Sequence, residues 1–203
     1  MLAAIVRGFI TTGAKLLTGA QGRWIGCAPE ARLRIYCANH TSHMDFLLLW
    51  TALPRPLRAA TRPVAASDYW LQGPIRRFVI EDVFNAVLVD RGAGVHGNPL
   101  QPAFDAVRAG QSLIFFPEGT RGDGETLGPL KSGVHHLLKA RPDAEVVPVW
   151  IDNAYRVMPK GFFFPVPLLC SMSFGSVLRY EVQEPKEAFL ERLRSAMLEL
   201  RPQ

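Results

Sequence analysis

Only three cysteines occur among the 203 residues, Cys27, Cys37 and Cys170, widely spaced and without a CxxC pair. So few and so scattered, they argue against a disulfide framework or a zinc cluster, and they suit buried thiols in a reducing compartment. Also lacking is any run of about 18 apolar residues, the length needed to cross a bilayer as a helix. The greasiest stretches, residues 46–50 and 162–169, are short or broken by proline, so the chain is not expected to span a membrane. The first 20 residues are apolar, but Arg7 and Lys15 interrupt them and no small-residue cleavage site follows. They are read as part of the mature protein rather than a signal peptide. No internal repeat, linker or low-complexity tract divides the chain. No concentrated basic run or nucleic-acid-binding motif is present either, which argues against nucleic acid as a partner.

What remains is enough for one ordinary domain with a sizeable core. Lys plus Arg outnumber Asp plus Glu by 23 to 18, a net charge of +5, which favours anionic partners such as phosphates or acidic lipid. On a helical wheel Leu2, Ile5, Val6, Phe9, Leu16 and Leu17 share one side of the first segment, and Arg7, Thr11 and Lys15 recur on the other. This predicts a basic amphipathic helix over residues 1–17.

Further on, apolar runs and turn signals alternate. Strands are expected at 33–38, 63–66, 84–89, 112–116, 145–151, 169–174 and 177–182, and helices at 44–53, 74–82, 99–109, 132–140 and 185–200. Near-continuous apolar strands between helices predict a single α/β domain with a mixed, largely parallel sheet covered by helices. Three strands end on polar runs: NHTSHMD, DRG and PEGTR. If those strands are parallel neighbours, the polar residues converge in one crevice.

His40 and Asp45 are separated by four residues across a strand-to-helix turn. That spacing lets the carboxylate fold back onto one imidazole nitrogen while the other faces a substrate. With no serine or cysteine nucleophile evident beside it, the dyad suits direct activation of a substrate hydroxyl rather than an acyl-enzyme. Ser42 suits the helix cap or the turn. The same spacing also fits a capping or core histidine paired with Asp45 for stability. His43, three residues after His40, admits a metal site shared with His40 and Asp45, although a metal-free site is expected. His135 and His136 are adjacent on a helix and suit one packed and one solvated side chain. Arg91, Arg121 and Lys131 stand at element ends, where arginine forks and helix N-termini bind phosphate. Taken singly, they also fit surface ion pairs, Arg91 with Glu81 or Arg121 with Asp123.

Taken together, NHTSHMD at 39–45, VLVDRG at 87–92, FPEGTR at 116–121 and VVPVW at 146–150 resemble, in order and spacing, the four motifs of the glycerolipid acyltransferase family. That family includes bacterial and organellar 1-acylglycerol-3-phosphate acyltransferases. The resemblance implies that His40 is the catalytic base and Asp45 its orienting partner. It implies that Arg91, Glu118, Gly119, Thr120 and Arg121, with Lys131 beside them, bind a phosphate-bearing lysophospholipid acceptor. Pro148 would shape the acyl-donor side. The donor would be acyl-CoA or acyl carrier protein, with no metal or organic cofactor, and the product phosphatidate. Another lysophospholipid or a lyso-aminolipid acceptor, and a non-catalytic anionic lipid-binding role, are the alternatives.

Residues 1–22 are expected to form a membrane-contacting helix and connection, and residues 23–203 the acyltransferase domain. The protein would then sit on the cytoplasmic face of the cell membrane, peripheral or monotopic, against an anionic surface. A second candidate for lipid contact is Phe162, Phe163, Phe164, Val166, Leu168 and Leu169, for which core packing is the alternative.

Overall fold

The computed structural model describes residues 1–90, 98–157 and 166–202. In chain order the elements are α1 (Leu2–Thr18), β1 (Gln21–Trp24), β2 (Arg34–Ala38), α2 (Asp45–Ala52), α3 (Arg55–Ala60), β3 (Thr61–Ala66), α4 (Ser67–Trp70) and α5 (Pro74–Phe78), which runs into a π-helical turn (Val79–Val83). Then follow β4 (Val87–Val89), α6 (Gln101–Arg108), β5 (Ser112–Phe115), α7 (Gly133–Ala140), β6 (Glu145–Ile151), α8 (Ala154–Val157), β7 (Ser171–Phe174) and α9 (Lys186–Glu199). The seven strands form one sheet in the order β1-β7-β6-β2-β5-β3-β4. Every pairing is parallel except β6 with β7.

A central parallel strand is covered on both faces, so its residues need not alternate with polar ones. All five residues of β2 and all seven of β6 are buried. Side chains still leave β2 alternately. Tyr36 and Ala38 enter the core under α1 and α2, whereas Ile35 and Cys37 enter the core under α6, α7 and α9. The α/β architecture, the largely parallel sheet and the N-terminal helix agree with the sequence.

Pro148 sits inside β6, opposite Cys37 of β2. Its carbonyl accepts the Gly175 N–H at 2.9 Å, so its missing donor falls on the β7 side, where no strand partner is lost.

The short helices α3, α4 and α8 are additional to the expected set, and two further details differ. Residues 177–182 form no strand; Leu178 makes one antiparallel bridge to Val146 and the chain then turns away. β1 lies in what reads as a connection, and it straddles the expected boundary at residue 22 by pairing with β7. In α1 the side expected to contact membrane is the exposed one. Leu2, Ile5, Phe9 and Leu16 are 65, 63, 84 and 83% exposed, while Thr11, Ala14 and Thr18 are buried. Most of the greasy stripe faces outward, while Ala3, Val6 and Ile10 pack against the core and Thr12 and Lys15 are exposed.

Local bonding makes the burial of Thr11 and Thr18 tolerable. Thr11 and Thr18 donate their hydroxyls to the Arg7 and Ala14 carbonyls at 2.8 and 2.6 Å, leaving their methyl groups to pack. Arg7 donates from Nε to the Val83 carbonyl at 2.5 Å, at the end of the π-helical turn where helical carbonyls lack partners. Gly19, at φ 55°, ends the helix in the left-handed conformation glycine tolerates best, donating to the Lys15 carbonyl. No helix among the described residues is long and apolar enough to cross a membrane.

Candidate active site

The carboxyl ends of β2, β3, β4 and β5 open on a cavity of about 460 Å³. His40, Gly119, Thr120, Arg121 and Lys131 line one part of it, and Phe46, Tyr69, Trp70, Leu100 and Phe115 line another. Its wall therefore combines basic and polar side chains with aromatic ones, and Asp90 also lines it. A larger cavity, of about 710 Å³, lies at the β4 edge around Arg62 and Glu81; Val87 and Leu88 of the second motif line it, but none of the described site candidates does.

Each polar residue is fixed by the turn that carries it. Asn39 prolongs β2 by side-chain bonds: Nδ2 donates to the Ile151 carbonyl at 3.0 Å and Oδ1 accepts the Ile151 N–H at 2.7 Å. The chain leaves the sheet at the next residue. Asp45, fully buried in the first turn of α2, points back into this turn. Its Oδ2 accepts the Thr41 and Ser42 N–H groups at 2.5 and 2.8 Å, and lies 2.9 Å from His40 Nδ1. A carboxylate gathering three donors is an acceptor only, so Nδ1 carries the proton and Nε2 keeps its lone pair. The His40 side chain is 23% exposed and stacks on Phe116 at 4.3 Å.

The PEGTR loop holds the main chain of His40 from both sides. Glu118, 5% exposed, accepts the His40 N–H through Oε1 and the Gly128 N–H through Oε2, both at 2.8 Å. Gly122 donates its N–H to the His40 carbonyl at 2.8 Å. Gly119 has φ 69°, and a Cβ there would stand 2.8 Å from Lys131 Nζ, so the missing side chain leaves room for the ammonium. Among the described residues neither Arg121 nor Lys131 has a carboxylate partner, and Asp123 instead accepts the Glu125 and Thr126 N–H groups.

The sequence candidates therefore divide. His40, Asp45, Gly119, Thr120, Arg121 and Lys131 come together. Glu118 stands behind His40 as a backbone clamp and does not line the cavity. Pro148 is also absent from the lining, being inside β6. Arg91 lies outside the described residues, as do Phe162, Phe163 and Phe164 of the aromatic segment. His43 lines the cavity but stacks on Tyr69 at 4.5 Å. Burial, then the nearby Arg121 charge, with smaller contributions from His40 and Arg76, lowers its pKa from 6.5 to about 4. It is neutral near pH 7. Among the described residues no group of three His, Cys, Asp or Glu side chains is placed to hold a metal ion. Asn39 and Gly122 are positioning groups that motif reading passed over; both flank the motif histidine in the fold.

Residues 21–152 match the family described as Acyltransferase, a span that takes in every strand end around the cavity. The chain belongs to the acyltransferase family. Among relatives, it is 33% identical over 145 residues to a 1-acyl-sn-glycerol-3-phosphate acyltransferase of Limnanthes alba, covering 66% of this chain and 47% of that protein. It is 28% identical over 139 residues to one of Chlamydomonas reinhardtii, covering 66% and 38%. It is also 37% identical over 62 residues to a chloroplastic one of Brassica napus, covering 30% and 18%. Each match spans less than half the relative's length. The crystal structure of the 1-acyl-sn-glycerophosphate acyltransferase PlsC from Thermotoga maritima shares the fold of this acyltransferase-family chain, with a TM-score of 0.75 over 97% of this chain and 78% of that one, at 20% identity.

Proposed function

We propose that the protein is an O-acyltransferase that moves a fatty acyl group from acyl-CoA or acyl carrier protein to the free sn-2 hydroxyl of 1-acylglycerol-3-phosphate, forming phosphatidate. The observation that carries this reading is the juxtaposition of an oriented His40–Asp45 dyad with Arg121 and Lys131, which have no carboxylate partner among the described residues, in a cavity also lined by aromatic side chains. His40 Nε2 takes the acceptor's hydroxyl proton as that oxygen attacks the thioester carbonyl carbon. The tetrahedral intermediate collapses, the C–S bond breaks, and the imidazolium returns the proton to the departing thiolate. Asp45 holds the ring and stabilises the imidazolium. The acceptor's phosphate lies against Arg121 and Lys131, with Arg91 assigned there by its motif, each charged contact contributing about 1.5–3 kcal/mol. Thr120 and the backbone at Gly119 complete that part, and Glu118 acts through the main chain of His40. The aromatic lining takes acyl chain.

Residues 1–22 serve as the membrane-contacting segment and 23–203 as the acyltransferase domain, on the cytoplasmic face of the cell membrane. The outward stripe of Leu2, Ile5, Phe9 and Leu16 supports this, because single soluble chains bury such a stripe. Leu169, 78% exposed, extends that surface where it meets Gly19 at the end of α1. The experiment is to incubate purified protein with 1-acylglycerol-3-phosphate, or with lysolipids bearing other headgroups, and each donor type. Mass spectrometry should find phosphatidate. Acylation confined to another lysolipid would move the assignment to that acceptor, and no acylation would leave a lipid-binding role.

A further inference from the structure

α1 and α3 enclose a second basic cavity, of about 400 Å³, on the flank of α1. Arg7, Lys15, Arg55 and Arg58 line it together with Thr12 and Trp50, and no acidic side chain does. It shares no residue with the cavity at His40. Among the described residues none of its cations makes an ion pair.

Two of the four are anchored. Arg7 and Arg58 donate from Nε to the Val83 and Leu53 carbonyls, and their guanidinium groups lie 6.0 and 5.4 Å from the Trp50 ring centroid. Lys15 and Arg55 make no side-chain hydrogen bond among the described residues. Burial and the neighbouring Arg55 charge both lower the Arg58 pKa, the electrostatic sign of cations gathered without a counter-charge. Such a cluster repels itself unless an anion enters. With about 3.6 residues per turn, Ala4, Gly8, Thr12 and Lys15 lie on α1 beside the outward stripe of Ile5, Phe9 and Leu16. An anion held in the cavity is therefore at the edge of the surface that would enter a bilayer.

We propose that this cavity is a headgroup site for an anionic phospholipid of the bilayer surface, distinct from the acceptor site, which seats the apolar stripe of α1 in the membrane. The proposal rests on the reading of α1 as a membrane-contacting helix. It commits to a lipid phosphate because the apolar stripe adjoins the cations, an arrangement that a free phosphate ion does not need.

The test is co-sedimentation of the full chain with phosphatidylcholine vesicles, with and without phosphatidylglycerol. The double variant Lys15→Gln/Arg55→Gln, which breaks no hydrogen bond among the described residues, should weaken partition onto anionic vesicles by about 10- to 30-fold and leave neutral vesicles unaffected. Lys139→Gln/Lys186→Gln removes the same charge from α7 and α9, on the opposite face of the sheet, and should change neither. Equal losses from both pairs, or none from the first, would overturn the headgroup site. Displacement by inorganic phosphate as readily as by anionic vesicles would overturn the lipid source. Phe9→Ser/Leu16→Ser separates the two readings. If it lowers partition onto both vesicle types, α1 touches membrane whatever the cavity does; if it lowers neither, the membrane reading itself fails.

Discussion

Replacing Glu118 by glutamine should damage both the fold and turnover, for a reason visible in two bonds. The carboxylate accepts the N–H groups of His40 and Gly128 at 2.8 Å each, away from solvent. Hydrogen bonds to a charged acceptor contribute about 1.5–3 kcal/mol apiece, so the pair holds about 3–6 kcal/mol. An amide keeps one carbonyl bond of about 1 kcal/mol and turns its own N–H toward a second N–H donor, a net loss of about 2–4 kcal/mol. Domains of this kind have about 5–15 kcal/mol in total, so the variant should fold while its urea midpoint drops clearly. Released on one side, His40 should lose its alignment and kcat should fall at least tenfold, with the acceptor's KM little changed. Normal stability with a rise only in the acceptor's KM would refute this, and would make Glu118 a substrate contact as its motif implies.

Arg121→Ala should raise the KM for the phosphorylated acceptor about 10- to 100-fold, with Arg121→Lys recovering only part, because an ammonium cannot reproduce the bidentate fork; a rise confined to the donor's KM would reverse the two ends of the site. His43 has a folded pKa of about 4 against 6.5 unfolded, so as pH falls through that window the unfolded chain binds a proton that the folded one refuses, and stability declines. His43→Phe should flatten the fall in urea stability between those pH values, and an unchanged slope would mean that His43 titrates normally. Glu145→Ala strands Arg34, 2% exposed and 3.1 Å from that carboxylate, and should cost about 3–5 kcal/mol in urea unfolding; a loss under about 1 kcal/mol would mean that water reaches Arg34.

Much of the site was legible because its residues sit where strands stop. The polar runs after β2, β4 and β5 are abrupt in the sequence, and parallel pairing brings those ends to one edge. The direction in which Glu118 points was not legible, since an acid in a motif loop reads equally as a ligand or a clamp until its donors are located. The burial of Thr11 and Thr18 on α1 was hidden for a related reason. A wheel counts Thr11 and Thr18 as polar, yet each satisfies its hydroxyl within the helix and packs like an apolar residue. The α3 helix was not expected, although Pro54 and Pro56 stand at its cap and first turn, where proline favours a helix start. QGRW of β1 has too few apolar residues to announce a strand, and its pairing with β7 supplies the stability that its own pattern lacks.

The account rests on His40 as the base, so the decisive measurement is the turnover of His40→Ala on 1-acylglycerol-3-phosphate in vesicles, beside a wild-type control and with the fold checked by urea unfolding. Turnover should fall about 10²- to 10⁴-fold while the variant remains folded. A folded His40→Ala protein that forms phosphatidate at nearly the wild-type rate would contradict the mechanism.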